Sequence, residues 1–379
     1  MSKRFPDLIT VLDEAYTTLS PDRTCVMSFD REGRMVGFFR DGLTYRRALD
    51  SRVLLRWRED RRHRRWLSGP EAFNVYRDVY ALAREVYPET AGELRRRLEE
   101  EILTWTPRML LNEERRFRSV YHPIPILPPD QYRSVVLQVT EGCTWNRCTF
   151  CNFYKGRRFR MRTLSQFRKH IQAVKRLFGK GLRMRKGLFL GDGNALALNA
   201  DRLLEYIKAT RESFPDEPVY GFVDIFSGER HTVDEWKALR ESGLHRVYIG
   251  METGSDELLR FLNKPGSGDD VLGLVSDLKQ AGVAVSPIVM VGIGGDAFRE
   301  QHARATLRVL ERMELGADDI LYISPFIEFE ETEYARQRRE AGIRALDEAE
   351  MEREYDRLCS AARSLGIKTS RYDIRDFIY

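Results

Sequence analysis

The 379-residue sequence has no run of about 18 apolar residues, so no helix is expected to span a membrane. Its opening, MSKRFPDLITVLDE, lacks the apolar core of a secretory signal and so gives no export reading. Cysteine is scarce and odd in number, with five residues, which argues against a disulfide framework. The expected compartment is therefore the cytoplasm, where clustered thiols serve as metal ligands or catalysts. Internal repeats and low-complexity tracts are absent. An excess of one charge sign is nearly absent too: 63 basic and 58 acidic residues leave +5, too little to identify a nucleic-acid binder. An apolar fraction of 42% excludes wholesale disorder.

Four prolines in YHPIPILPPDQY (121–132) break any helix and mark a boundary. The expected layout is a basic, mainly helical domain or extension over 1–120, a Pro-rich connection over 121–133, a catalytic core over 134–328 and a C-terminal extension over 329–379. Within the first piece, 71–87 and 93–103 read as helices, and 45–67 is dense in arginine. In the core, strand-like and helix-like segments alternate. The strands are SVVLQVT (134–140), GLFLGDG (187–193), VYGFVDIF (219–226), RVYIG (246–250), AVSPIVMVGIGG (284–295) and ILYISPFI (320–327). Six such alternations predict an α/β fold with a parallel sheet, a partial (β/α)6 TIM-like barrel whose chemistry lies at the carboxyl ends of the strands. Beyond it, 350–366 reads as a helix and KTSRYDIRDFIY (368–379) as a terminal strand or lid.

Three cysteines, Cys143, Cys148 and Cys151, lie within nine positions directly after the first core strand. Ordinary buried thiols are one reading. A structural zinc site is another, but zinc asks for four ligands, and only His122 offers itself nearby. Three thiolates can also hold three irons of a [4Fe–4S] cluster and leave the fourth iron open.

The loop ends Cys148-Thr149-Phe150-Cys151, and in this it resembles the radical S-adenosylmethionine (SAM) superfamily, although its first gap is four residues where three is usual. Three later segments extend the resemblance. Gly191-Asp192-Gly193 is similar to the family's glycine-rich turn that binds the methionine amino group of SAM, with Asp192 replacing the second glycine. GMETGSDELLRFLNKP (250–265) resembles the fourth-strand segment of the coproporphyrinogen-oxidase-like and Elongator-like branch, which assigns Glu252 to the SAM ribose. VMVGIGG (289–295) is similar to a glycine turn that meets adenine, here through Gly292 and Gly294, while Phe150 would cover the cluster or the adenine edge.

The resemblance implies a radical SAM enzyme with one [4Fe–4S] cluster on Cys143, Cys148 and Cys151. It would cleave SAM reductively to a 5′-deoxyadenosyl radical and abstract hydrogen from a small molecule or cofactor precursor. It also implies a reduced flavodoxin-like or ferredoxin-like electron donor. The basic run Lys155, Arg157, Arg158, Arg160, Arg162 reads as a solvated surface, as a docking face for that donor, or as a source of one arginine that pairs with the SAM carboxylate or an anionic substrate. Only Cys25 and Cys359 lie outside the loop, which excludes a second cluster of three or four cysteines within these residues, and no Asp-x-His-x-x-Gly signature for cobalamin is present. Position alone nominates Gln138, Asp224, His302, Tyr322 and Ser324 as substrate residues, with Tyr372, Phe377 and Tyr379 reaching the pocket if the C-terminus folds over it. Two alternatives stay open: modification of tRNA or another nucleic acid through the basic leader, and a cluster-carrying redox sensor without turnover.

Overall fold

The structure, a computed structural model, describes residues 5–379. It divides into two compact units: residues up to Ile124 with Gln172–Lys186 and Ile378–Tyr379, and a second unit of Pro125–Ile171 with Gly187–Phe377. Among the described residues no helix is long and apolar enough to cross a membrane.

The first unit opens with a seven-stranded antiparallel meander in chain order: β1 (Ile9–Leu12), β2 (Tyr16–Asp22), β3 (Cys25–Asp30), β4 (Met35–Arg40), β5 (Leu43–Arg47), β6 (Val53–Arg58) and β7 (Arg62–Trp66). Helices α1 (Gly69–Val86), α2 (Gly92–Arg97) and α3 (Pro107–Val120) follow. The expected helices near 71–87 and 93–103 are present. The reading of 1–120 as mainly helical is corrected for residues 9–66, which are strands and include most of the arginine-dense stretch. The cause is local. Asp41 and Gly42 adopt φ of +50° and +82°, forming a two-residue turn closed by the Arg40–Leu43 pair, and such a turn commits its flanks to a hairpin. Alternate residues Leu19, Met27, Phe29, Met35 and Val53 then face one side, where Tyr76, Val79 and Tyr80 of α1 complete a core. Arg34 is buried there between Asp30 (2.8 Å) and Glu113 (3.1 Å), and also donates to the carbonyls of Leu177 (2.9 Å) and Phe178 (2.7 Å).

The second unit is built on an all-parallel sheet of seven strands in chain order: β8 (Val135–Gln138), β11 (Leu188–Gly191), β12 (Val219–Asp224), β13 (Leu244–Glu252), β14 (Ala284–Val291), β15 (Leu321–Pro325) and β16 (Thr369–Arg371). A short ladder of β9 (Thr140–Glu141) with β10 (Arg160–Met161) brackets the cysteine loop. The connections are α4 (Leu164–Phe178), α5 (Ala200–Arg211), α6 (Ile225–Gly228), α7 (Val233–Glu241), α8 (Asp256–Phe261), α9 (Gly268–Gln280), α10 (Gly295–Arg312), α11 (Glu333–Glu340) and α12 (Glu348–Ser364). All six expected core strands are found. The seventh, β16, comes from the segment read as an extension: α12 carries the chain back so that Thr369, Ser370 and Arg371 pair with Leu321, Tyr322 and Ile323. β8 and β16 lie at opposite edges, so the barrel is open. A run of rings fills the space inside the curve, Phe189 to Phe222, Tyr248, Tyr322 and Tyr372, with successive centroids 5.0, 6.0, 6.2 and 5.8 Å apart.

Candidate active site

Each parallel strand delivers its last residue to the same rim, and the loops that follow surround one cavity. The loop after β8 carries the three cysteines, and the chain pins it at several points. β9 and β10 pair across its base. Asn146, in a left-handed conformation (φ +49°), donates its amide to the carbonyls of Tyr154 (2.9 Å) and Arg157 (3.3 Å). The Thr149 N–H donates to Leu262 O (2.9 Å), the Tyr334 N–H to Thr149 O (3.0 Å) and the Trp145 indole to Asn263 O (2.8 Å). A loop tied to the ends of α8 and α11 in this way holds its side chains in fixed positions.

Cys143, Cys148 and Cys151 all line the cavity, half-buried, together with Phe150, Gly193 and Glu252. Burial pushes the Cys148 thiol up to about 12, against the pull of Lys264, and raises Cys151 too. These thiols do not ionise alone at neutral pH; a bound metal would remove their protons. Among the described residues, Glu59, Asp60 and His63 are the only three ligand atoms that all lie within 4.8 Å of one another. The three cysteine sulfurs are therefore spread wider than one tetrahedral zinc, whose sulfurs sit about 3.8 Å apart, would hold them. Three converging but separated thiols fit a cluster in which each sulfur takes a different iron.

In the same lining, Glu252 ends β13 with φ +61° and pairs with Lys264 Nζ at 3.2 Å. Both side chains are under a tenth exposed. Burial works against the Lys264 charge, but Glu252, Cys148 and Asp224 together outweigh it and hold the ammonium above the ordinary lysine value. Gly250 makes room: a Cβ there would lie 2.8 Å from the Glu252 carboxylate. At the end of β12, Asp224 caps α6 through the Ser227 N–H (2.7 Å) and binds the Asn194 amide on both sides, since the Asp224 N–H donates to Asn194 Oδ1 (3.0 Å) and Asn194 Nδ2 donates to the carboxylate. Asn194 also donates to Thr144 Oγ1 (2.8 Å), tying the turn after β11 to the cysteine loop.

Of the residues nominated from sequence, the cavity gathers the three cysteines, Phe150, Gly193, Glu252, Asp224, Ser324 and Tyr372. Gly193 packs so tightly on the loop that a Cβ would fall 2.8 Å from Gly142 O and 3.1 Å from the Tyr154 ring. The others stand outside the lining. Gly191 pairs with Gln138 within the sheet. Asp192 turns its carboxylate to the Gly142 N–H and Arg157, each at 3.4 Å, so it braces the loop. Gly292 and Gly294 adopt left-handed φ of +85° and +84° and spend their N–H groups on Glu354 (2.6 Å) and the Tyr334 hydroxyl (2.9 Å). Gln138 is fully buried, its N–H donating to His170 Nε2 (3.1 Å). Tyr322 belongs to the ring stack beneath the cavity. His302 is buried on α10, its Nδ1 2.7 Å from Thr253 Oγ1. Within the basic run, Lys155 donates to Asn146 O (3.0 Å), while Arg160 and Arg162 face Glu141 at 3.2 and 3.5 Å. Phe377 packs at a tilt against Tyr132 (5.4 Å) and Tyr379 edge-on against Tyr121 (6.0 Å), and neither is a lining residue.

Lys264 and Asn194 line the cavity without having been assigned a role from sequence. Lys264 follows α8, where a lysine reads as an ordinary helix-end cation. Asn194 follows GDG and reads as a turn residue. Nothing local marks either as buried.

Residues 137–307 match the Radical SAM superfamily. The chain is 24% identical over 193 residues to a protein of Methanocaldococcus jannaschii provisionally named a methylthiotransferase, covering 47% of this chain and 41% of that one. It is 24% identical over 216 residues to an uncharacterized methyltransferase of Pyrococcus horikoshii, covering 54% and 44%. The chain thus spans less than half the length of these curated relatives. Among solved structures, coproporphyrinogen III oxidase from Escherichia coli superposes with a TM-score of 0.46 at 17% identity, over 62% of this chain and 52% of that one.

Proposed function

We propose, from the premise that residues 137–307 are a radical SAM domain and so work with a [4Fe–4S] cluster and SAM, that this chain is a single-cluster radical SAM enzyme acting on a small molecule or cofactor precursor. The observation that carries the reading is that one cavity is lined by Cys143, Cys148 and Cys151 together with the buried Glu252–Lys264 pair. When bound, the cluster and SAM supply reductive cleavage of SAM to methionine and a 5′-deoxyadenosyl radical that takes a hydrogen atom from substrate.

Cys143, Cys148 and Cys151 would hold the cluster and leave its fourth position facing the cavity. Lys264 offers a charge for the SAM carboxylate, and Glu252 and Asp224 offer acceptors for its ammonium and ribose hydroxyls. Phe150, packed edge-on against Phe326 (6.4 Å), keeps water from that side. A reduced flavodoxin-like or ferredoxin-like carrier would bring the electron, drawn to the cationic side chains of residues 155–160.

Cys25 is buried in β3 and Cys359 in α12, so neither joins a second thiol cluster. A second reading, action on nucleic acid, has one observation behind it. Arg56 lies directly across from Arg64, and Arg58 from Arg62, on β6 and β7. Like charges placed so destabilise a sheet and are relieved by a polyanion.

The test is anaerobic reconstitution of the full chain. Binding of about four irons per chain and dithionite-dependent conversion of SAM to 5′-deoxyadenosine are expected. Protein that takes up a single zinc and leaves SAM intact would sink the reading. Deuterium transfer from candidate substrates into 5′-deoxyadenosine then identifies the reaction.

A further inference from the structure

We infer that the wall made by β15 and β16, with Ser324 and Tyr372 side by side, is the substrate-recognition surface, and that it takes an uncharged, largely apolar small molecule bearing a hydrogen-bond acceptor. The inference rests on the reading above and adds the substrate class.

Tyr372 follows β16, and its N–H donates to Ile323 O (3.0 Å), which sets it beside Ser324 on the neighbouring strand. The ring packs edge-on against Tyr322 (5.8 Å) and is 1% exposed. It lines the cavity, yet its hydroxyl has no hydrogen-bond partner among the described residues. A buried hydroxyl that forgoes its bonds to water and finds none in the protein is destabilising, and a bound acceptor would relieve it.

The surroundings define what carries that acceptor. Around Ser324 and Tyr372 the cavity is lined by Ile288, Met290, Phe326 and Ile374. Its charged side chains, apart from the cysteines, are Asp224, Glu252 and Lys264, all on or beyond β12 and β13. Lys264, the one cation, is already paired with Glu252. An anionic group at the β15–β16 wall would meet no counter-charge, so phosphates and carboxylates are disfavoured there. Three strand spacings separate β13 from β16, on the order of 14 Å along the sheet, enough for one molecule at the Glu252 side and a second at the Tyr372 side.

The experiment uses the reconstituted full chain and two probes of one shape, neutral benzamide and anionic benzoate, titrated by ligand-observed NMR. Benzamide should bind at least tenfold more tightly than benzoate. Tyr372→Phe should weaken benzamide roughly fivefold, and Ser324→Ala should weaken it also, with melting temperatures near that of the unaltered protein. Benzoate binding as well as benzamide, no benzamide binding at millimolar concentration, or both variants binding benzamide as the parent does would each overturn the inference. Failure to cleave SAM with the benzamide preference intact would remove the proposed reaction and leave this wall standing.

Discussion

Replacing Glu354 by glutamine should make the protein more stable, and more so at pH 7 than at pH 5. Glu354 reaches in from α12, almost fully buried, and its Oε2 accepts the Gly292 N–H at 2.6 Å. Its Oε1 lies 4.0 Å from His302 Nε2, a buried nitrogen without a partner. Burial pushes the Glu354 carboxyl up to about 7 from 4.5, against the Gly292 hydrogen bond and the nearby Arg299 and Arg357, while Glu300 adds to the rise. Burial also takes His302 down to about 4 from 6.5. Between pH 4.5 and 7 the folded protein retains a proton on Glu354 that the unfolded chain has released, so this group's contribution to stability falls as pH rises. Between pH 4 and 6.5 the unfolded chain carries a proton on His302 that the folded protein lacks, so that contribution rises with pH. The two slopes cancel where they overlap. Glutamine retains the acceptor for Gly292 and adds a donor facing His302, with no charge to desolvate. The gain should be about 3 kcal/mol at pH 7 and about 1 kcal/mol at pH 5. For a unit of this size that is about 5–10 °C in melting temperature at pH 7. The variant should also show the uncancelled His302 slope, gaining stability as pH climbs from 4 to 6.5. Equal shifts at both pH values, or a lower melting temperature at pH 7, would refute the reasoning.

Three further outcomes follow from the geometry. Gly193→Ala should displace the cysteine loop, because its Cβ would meet Gly142 O at 2.8 Å; a loss of about 1–3 kcal/mol and lower iron uptake are expected, and unchanged iron content would contradict the packing argument. Arg34→Leu should destabilise the first unit by about 3–5 kcal/mol in denaturant titrations by leaving Asp30 and Glu113 buried without their shared cation, whereas a cost below about 1 kcal/mol would show that the acids reach water. Lys264→Met should weaken SAM binding at least tenfold in equilibrium dialysis while iron content holds, and intact SAM affinity would remove Lys264 from the site.

The catalytic core was legible in the sequence because its strands are short apolar runs that end in glycine turns, and a parallel sheet aligns those ends on one rim. The first unit was not, although Asp41-Gly42 is a hairpin signal. Arginines at 46, 47, 56 and 58 sit on both faces of β5 and β6 and hide the alternation that marks a strand, since long side chains can cover apolar surface with their stems. At the site, strand-end position separated candidates poorly because depth decides. Tyr322 and Ser324 share a face of β15, but Ser324 reaches the cavity and Tyr322 lies two residues below it, in the ring stack. Gly292 and His302 went the other way: their partners Glu354 and Thr253 come from segments that no local pattern links to them.

The seventh strand has a consequence for how the protein is made. Cys143 leaves the ribosome early, whereas Tyr372 and Ile374, on the far wall of the same cavity, are synthesised more than two hundred residues later. Because β16 joins the sheet only as a parallel partner of β15, it cannot dock until α11 and α12 have been made to carry the chain back. A nascent chain therefore holds its three thiols before it owns the β16 wall of their cavity. Iron delivered during that interval meets a site with one wall missing; iron delivered afterwards meets the complete cavity.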